Sequence, residues 1–231
     1  MKSLPQGFHA LVLGAGGALG GAFVERLQAD PRCDLVVPLG RQTAIAVDYD
    51  DEASLAQAAT QLRDQAPYHL IVVATGVLHT AAVQPEKRLA DLSMDTMEAI
   101  FRVNTFGPAM VMRHFAPMLD RHRSVLAVLS AKVGSIGDNR LGGWYSYRAS
   151  KAALNMVVRT VAIEMRRTHP GAVLAALHPG TVKSALSRPF RGDEIGRAPL
   201  EAADAMLAAL DGLTGDDSGC FLAYDGQRLP W

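Results

Sequence analysis

No excess of either charge marks the sequence: its 231 residues hold 23 basic and 23 acidic side chains. Neither sign forms a long run. That argues against a nucleic-acid partner or a membrane surface held by bulk charge. Cysteine is scarce. Cys33 and Cys220 are the only two. They lack metal-ligand spacing and are too few for a disulfide framework, so a reduced, cytoplasmic protein is expected. No apolar run approaches the length of a membrane span. The N-terminus sets Pro5 and Gly7 before a short apolar run and does not read as a signal peptide. Internal repeats and low-complexity segments are missing as well. Seven histidines are present, among them His79, His114 and His178, but no spacing suggests a metal site.

Apolar residues are plentiful, at 49%, which suffices for a full core. Short apolar runs alternate with longer helical patterns. Strands are expected at 9–15, 34–40, 44–49, 69–76, 124–131, 171–180 and 219–226. Helices are expected at 18–30, 51–65, 95–119, from the tyrosine-rich stretch at 145 to about 168, and at 199–213. The strand runs are continuously apolar, as when helices cover both faces of a sheet. This alternation predicts an α/β fold: a Rossmann-type, doubly wound parallel sheet in three layers. No linker divides it, so residues 1–231 are expected to form a single domain. Residues 184–198 show little periodicity and are expected to form a mobile loop. The helices at 95–119 and 146–168 carry surplus apolar residues, such as Met110, Met112, Met156 and Val157. They are the expected surface of a homo-oligomer.

Two stretches carry chemistry. The first is "LGAGGALGG", Leu13 to Gly21, which follows the first strand and opens the first helix. Glycines there let the backbone approach a pyrophosphate seated on the helix N-terminus. The strict G-x-G-x-x-G fails at Leu19; the spacing that fits runs from Gly14 through Gly16, Gly17, Ala18 and Leu19 to Gly20. A ligand-free glycine turn is the plain alternative. The second stretch is "GGWYSYRASKAALN". Tyr147 and Lys151 lie four apart, on one helix face. A lysine ammonium there would favour phenolate and lower the tyrosine pKa, making a proton donor or acceptor near neutral pH. By itself the pair is common by chance.

Taken in order, these motifs resemble the short-chain dehydrogenase/reductase family, and within it the C-factor-like and sniffer-like branch. The resemblance rests on Gly14–Gly20, "ATG" at 74–76, Asn104, Tyr147 with Lys151, and "HPGTVKS" at 178–184. It implies an NAD(P)-dependent oxidoreductase acting on a small carbonyl or alcohol. Tyr147 would be the general acid or base, and Lys151 would tune it and bind the nicotinamide ribose. Asn104 would hold a water in the proton relay. Ala74, Thr75 and Gly76, Pro179 and Gly180, Val182 and Ser184 would line the cofactor, and Asp48 would contact adenine. Leu13 and Ala18 replace the family's Thr and Gly, and Val73–Gly76 lacks the family's two asparagines. The family serine falls on Ala131. Ser130 should point the other way along the strand, which leaves Ser135, in the following loop, as the expected substitute.

The second strand ends in "PLGRQT". A carboxylate there would bind a ribose 2′-hydroxyl, whereas an arginine accepts a 2′-phosphate. Arg41 is present and the carboxylate is not, so NADP(H) is expected over NAD(H). The C-factor likeness also implies an alternative, a nucleotide-binding signalling protein with little turnover. Residues 77–93 and 184–198 should build the substrate pocket. Tyr145 is out of register with Lys151 and is expected to pack or line that pocket.

Overall fold

The structure is a computed structural model describing residues 1–231. Six strands form one sheet in the order β2-β1-β3-β4-β5-β6: β1 (Phe8–Leu13), β2 (Cys33–Leu39), β3 (Leu70–Val73), β4 (Ser124–Leu129), β5 (Ala172–His178) and β6 (Cys220–Ala223). Every pairing is parallel. Seven α-helices connect them: α1 (Ala18–Gln28), α2 (Glu52–Gln61), α3 (Met94–Phe101), α4 (Gly107–Phe115), α5 (Tyr145–Met165), α6 (Gly192–Ile195) and α7 (Pro199–Asp211). No helix is long and apolar enough to cross a membrane.

The strand period of two splits the core. Leu11, Leu13, Ile71, Val73, Leu126 and Val128 face one side, where Leu55 of α2, Phe115 of α4 and Leu154 and Val158 of α5 meet them. Ala10, Val12, Leu70, Val72 and Val125 face the other side, under Phe23 of α1 and Met206 of α7. Leu154 and Val158 are both fully buried, and burying each stabilises by about 1.5–3 kcal/mol. These two anchors hold the lower half of α5 against the sheet.

The expected strand at 44–49 does not form. Gly40 and Ala46 make a single bridge. The Thr43 hydroxyl bonds Gly40 N–H at 2.8 Å and Gly40 and Ile45 carbonyls at 2.9 and 2.8 Å, folding the chain back on itself. Tyr49 then packs its ring on Gly107, where a Cβ would lie 2.0 Å from the ring. The 95–119 helix is also interrupted. Arg102–Phe106 form a π turn between α3 and α4, and the helix ends before Pro117. Among the supposedly surplus residues, Met112 is buried in the core, Met110 and Val157 are half-buried, and only Met156 is exposed. Residues 184–198 are folded, with a 3₁₀ turn at Arg188–Phe190 followed by α6.

Candidate active site

The carboxyl ends of the strands meet where the strand order reverses, between β1 and β3, the usual ligand crevice of such sheets. Leu13, Leu39 and Val73 lie side by side there. Gly14 takes φ +82°, and a Cβ on it would press on Ala74 and Thr75. Gly20 is tighter still: a Cβ would lie 2.0 Å from the Gly14 carbonyl oxygen. Gly16 faces open space. Gly17 begins α1 with no side-chain cap, and the amides of Ala18, Leu19 and Gly20 find no acceptor in the protein. Unpaired donors at a helix N-terminus bind anions. The turn therefore fits a pyrophosphate, although nothing in Gly14–Gly20 follows the strict fingerprint.

Gly40 approaches this turn, its Cβ position 3.9 Å from Ala15 N and 4.0 Å from Gly16 N. Arg41 follows, exposed and without an ion-pair partner. Asp48 is half-buried and its Oδ1 accepts from Asp50 N–H at 3.1 Å. Capping of α2 falls instead to Asp51, which accepts from Ala53 N–H at 3.0 Å. Across the crevice Thr75 meets the Tyr49 hydroxyl at 3.0 Å.

Tyr147 and Lys151 lie one turn apart near the start of α5, at 9% and 2% exposure. Lys151 Nζ donates to the Leu129 carbonyl at 2.8 Å. Gly134 permits this approach, since a Cβ there would lie 2.7 Å from Lys151 Cβ. Asn104 sits in the π turn, fully buried. Its Oδ1 accepts from Val77 N–H at 2.8 Å, and its Nδ2 donates to the Val77 carbonyl at 2.8 Å and to Ser150 Oγ at 3.1 Å. The side chain thus ties the turn after β3 to α5, with no polar atom left free. Lys151 Nζ and Asn104 Oδ1 converge beside Gly76, at 3.6 and 3.7 Å from its Cβ position.

Two expectations need correction. Ser135 does not reach Tyr147: its hydroxyl donates to the Trp231 carbonyl at 3.3 Å and accepts from Asp138 N–H at 3.1 Å. Ala131 is extended and a 3₁₀ turn follows at Lys132–Gly134, which carries Ser135 to the other side of α5. Ala131 itself packs with Tyr147 and Leu78, while Ser130 donates to Asn155 Oδ1 at 2.6 Å. The tyrosine pKa also moves opposite to expectation. Burial pushes the Tyr147 phenol up to about 12 and the Lys151 ammonium down to about 7. Desolvation of the charged form is the cause in both groups. Ser184 lies in the loop after Gly180, where its hydroxyl donates to the Val182 carbonyl at 3.3 Å and accepts from Ser187 N–H at 3.3 Å. The Val182 carbonyl also receives the Ser187 hydroxyl. Pro179 and the left-handed Gly180 lead into that loop, and Gly180 lies under the Tyr224 ring.

Aromatic residues that pattern alone did not single out wall the pocket. Trp144 meets Phe190 at 5.0 Å and Tyr147 at 6.2 Å between ring centroids. His79 Nε2 lies 3.2 Å from both the Ala185 and Leu186 carbonyls, pinning 77–93 to 184–198. Two other concavities, of about 360 and 440 Å³, flank the opposite side of α5 and touch neither Tyr147 nor Lys151. No cluster of His, Cys, Asp or Glu could hold a metal ion.

A glycine turn that fits a pyrophosphate at the switch point, together with a buried Tyr–Lys pair on α5, is the arrangement expected of a dinucleotide-dependent oxidoreductase. Comparison with known proteins places the chain more closely. The sequence model of a family described as enoyl-(acyl carrier protein) reductase matches residues 16–226. The chain is 32% identical to 1-hydroxy-2-glutathionyl-2-methyl-3-butene dehydrogenase of Rhodococcus sp. (strain AD45), over 80% of this chain and 78% of that protein. It is 37% identical to the C-signal protein of Myxococcus xanthus, over 62% of this chain and 83% of that one. Its fold matches NADPH-bound carbonyl reductase from chicken fatty liver with a TM-score of 0.84 at 24% identity, covering 99% and 96% of the two chains. Carbonyl reductase Sniffer of D. melanogaster follows at 0.83 and 18%, covering 98% and 100%. The chain belongs to the short-chain dehydrogenase/reductase family and is an NAD(P)-dependent oxidoreductase.

Proposed function

We propose that the protein is an NADP(H)-dependent carbonyl reductase or alcohol dehydrogenase for a small, apolar substrate. The observation that carries this reading is the Tyr147 phenol. It lies in an apolar wall of Leu78, Ala131, Val133, Trp144, Leu186 and Phe190, with burial alone shifting its pKa. Gly14–Gly20 and the 74–76 turn would hold the cofactor, which when bound would supply or take a hydride. Tyr147 Oη gives its proton to the substrate oxygen as the carbonyl is reduced. A phenol held near 12 is fully protonated at neutral pH, which favours reduction; alcohol oxidation needs the phenolate and gains from higher pH. Lys151, its pKa pushed down to about 7 by burial, lies one turn away and can restore the proton when it is protonated. Ala131 offers no hydroxyl, so Tyr147 is the substrate oxygen's main donor.

Arg41 supports NADP(H): a free guanidinium beside the phosphate turn pairs well with a 2′-phosphate. Cys33 and Cys220 are unpaired, which suits a reducing compartment. The signalling alternative is not favoured: the family model and the 32% identical dehydrogenase speak for an oxidoreductase, and the buried Tyr147, Lys151 and Asn104 fit that reading. A panel of aliphatic and aryl carbonyls, followed by loss of nicotinamide absorbance with NADPH and with NADH, tests the reading. Turnover of apolar carbonyls with NADPH supports it. Cofactor binding without turnover of any carbonyl or alcohol would overturn it in favour of signalling.

A further inference from the structure

Segment 77–93 carries a carboxylate that the reductase chemistry leaves unused. Glu86 is 3% exposed, although Lys87, Arg88 and Leu89 beside it are all exposed. A buried charge is tolerated only when it is paired or well hydrogen-bonded, and no cationic side chain pairs with this one. Instead Glu86 Oε2 accepts from Ser146 N–H at 3.2 Å, and Oε1 accepts from the Ser146 hydroxyl. The Glu86 carbonyl accepts from Trp144 N–H. These bonds fall on the first turn of α5, which has no side-chain cap of its own. A side chain that accepts at a helix N-terminus satisfies orphan donors.

The turn it holds is unusual. Gly142, Gly143 and Trp144 take φ +63°, +64° and +52° in succession. The glycines adopt this region freely; Trp144, with a Cβ, does so only under constraint. Trp144 is also the ring wedged between Tyr147 and Phe190. Ser146, which receives the carboxylate, directly precedes Tyr147.

We propose that Glu86 is a positioning residue: it caps α5 from the substrate-side segment and thereby sets the Trp144 ring and the Tyr147 phenol in register over the substrate. The inference rests on the reductase reading above. Small displacements of a reacting group cost rate steeply. The cap acts through hydrogen bonds rather than charge. A glutamine can reproduce it, its oxygen accepting from Ser146 N–H and its amide donating to the Ser146 hydroxyl.

The test compares Glu86→Ala, Glu86→Gln and Ser146→Ala with wild type, and with Tyr147→Phe as a reference arm. Trp231→Phe in each background leaves Trp144 as the single tryptophan fluorophore, since the chain has two. Glu86→Ala should lower kcat by about tenfold or more, leave the NADPH dissociation constant within about twofold, and shift Trp144 emission to the red. Glu86→Gln should restore both kcat and emission. Ser146→Ala, which removes only the hydroxyl contact, should lie between, and it keeps the question open to decision if Glu86→Ala fails to fold. An inactive Tyr147→Phe beside a fully active Glu86→Ala, or beside a wild-type Ser146→Ala when the former does not fold, overturns this inference alone. Equal losses in the Gln and Ala variants overturn the hydrogen-bond cap. A fully active Tyr147→Phe instead overturns the reductase reading.

Discussion

Replacing Lys151 by methionine should make the cofactor-free protein more stable while destroying its activity. The ammonium is 2% exposed and has one protein partner, the Leu129 carbonyl. Each tenfold in acidity is about 1.4 kcal/mol, so a pKa depressed from 10.5 to about 7 corresponds to a penalty of about 5 kcal/mol on the charged form. Losing the 2.8 Å bond and leaving Leu129's carbonyl unpaired gives back about 1–3 kcal/mol. The methionine keeps the stem's packing, so a net gain of about 2–4 kcal/mol is expected below pH 7. The sign of the pH dependence follows from linkage. Below pH 7 both the folded and unfolded states hold the proton, and the full penalty counts. Between pH 7 and 10.5 the unfolded state holds more protons, so wild-type stability rises with pH relative to the variant. Urea unfolding of both proteins at pH 6, 7, 8 and 9 gives the difference directly, other groups cancelling. A variant less stable than wild type throughout, or a difference that stays flat across this range, would refute the reasoning.

Arg41→Ala should weaken NADPH by about 1–3 kcal/mol, the scale of a charge-assisted contact, and leave NADH unchanged; fluorescence titration of both cofactors checks this, and equal losses would remove the 2′-phosphate argument. Ala131→Ser should raise kcat by several-fold by adding a donor beside Tyr147, with no gain if the hydroxyl turns away; steady-state kinetics decide. Sedimentation at micromolar concentration should show self-association through the exposed Met156 and Ile163 on α5, and a monomer alone would reject that surface.

The fold was legible where both faces of a strand are buried, because a continuous apolar run such as Leu11–Leu13 then has few alternative homes. The 44–49 run failed for the opposite reason. Its apolar residues serve a back-folded segment that the Thr43 hydroxyl closes, and periodicity does not see side-chain bonds to backbone. The π turn around Asn104 was invisible because one extra residue in a helix leaves the apolar pattern nearly intact. Counting residues correctly put Ala131 beside Tyr147, but the direction of Ser135 depended on a 3₁₀ turn with no sequence mark. Glu86, Trp144 and Phe190 were missed because they meet only in three dimensions, from two loops and a helix start. The direction of the Tyr147 shift was misread because sequence shows the neighbouring charge but not the burial that opposes it.

The most direct measurement is turnover by Tyr147→Phe against wild type and Tyr145→Phe, with NADPH and an apolar carbonyl. The phenylalanine keeps the ring in its pocket and removes only the proton carrier. Tyr145 is partly exposed and has no part in the proposed proton transfer, so its variant should turn over as wild type does. Tyr147→Phe should lose about 10²-fold or more in kcat, the scale of acid–base catalysis, and still bind NADPH almost as wild type does. Wild-type turnover by Tyr147→Phe would contradict the account.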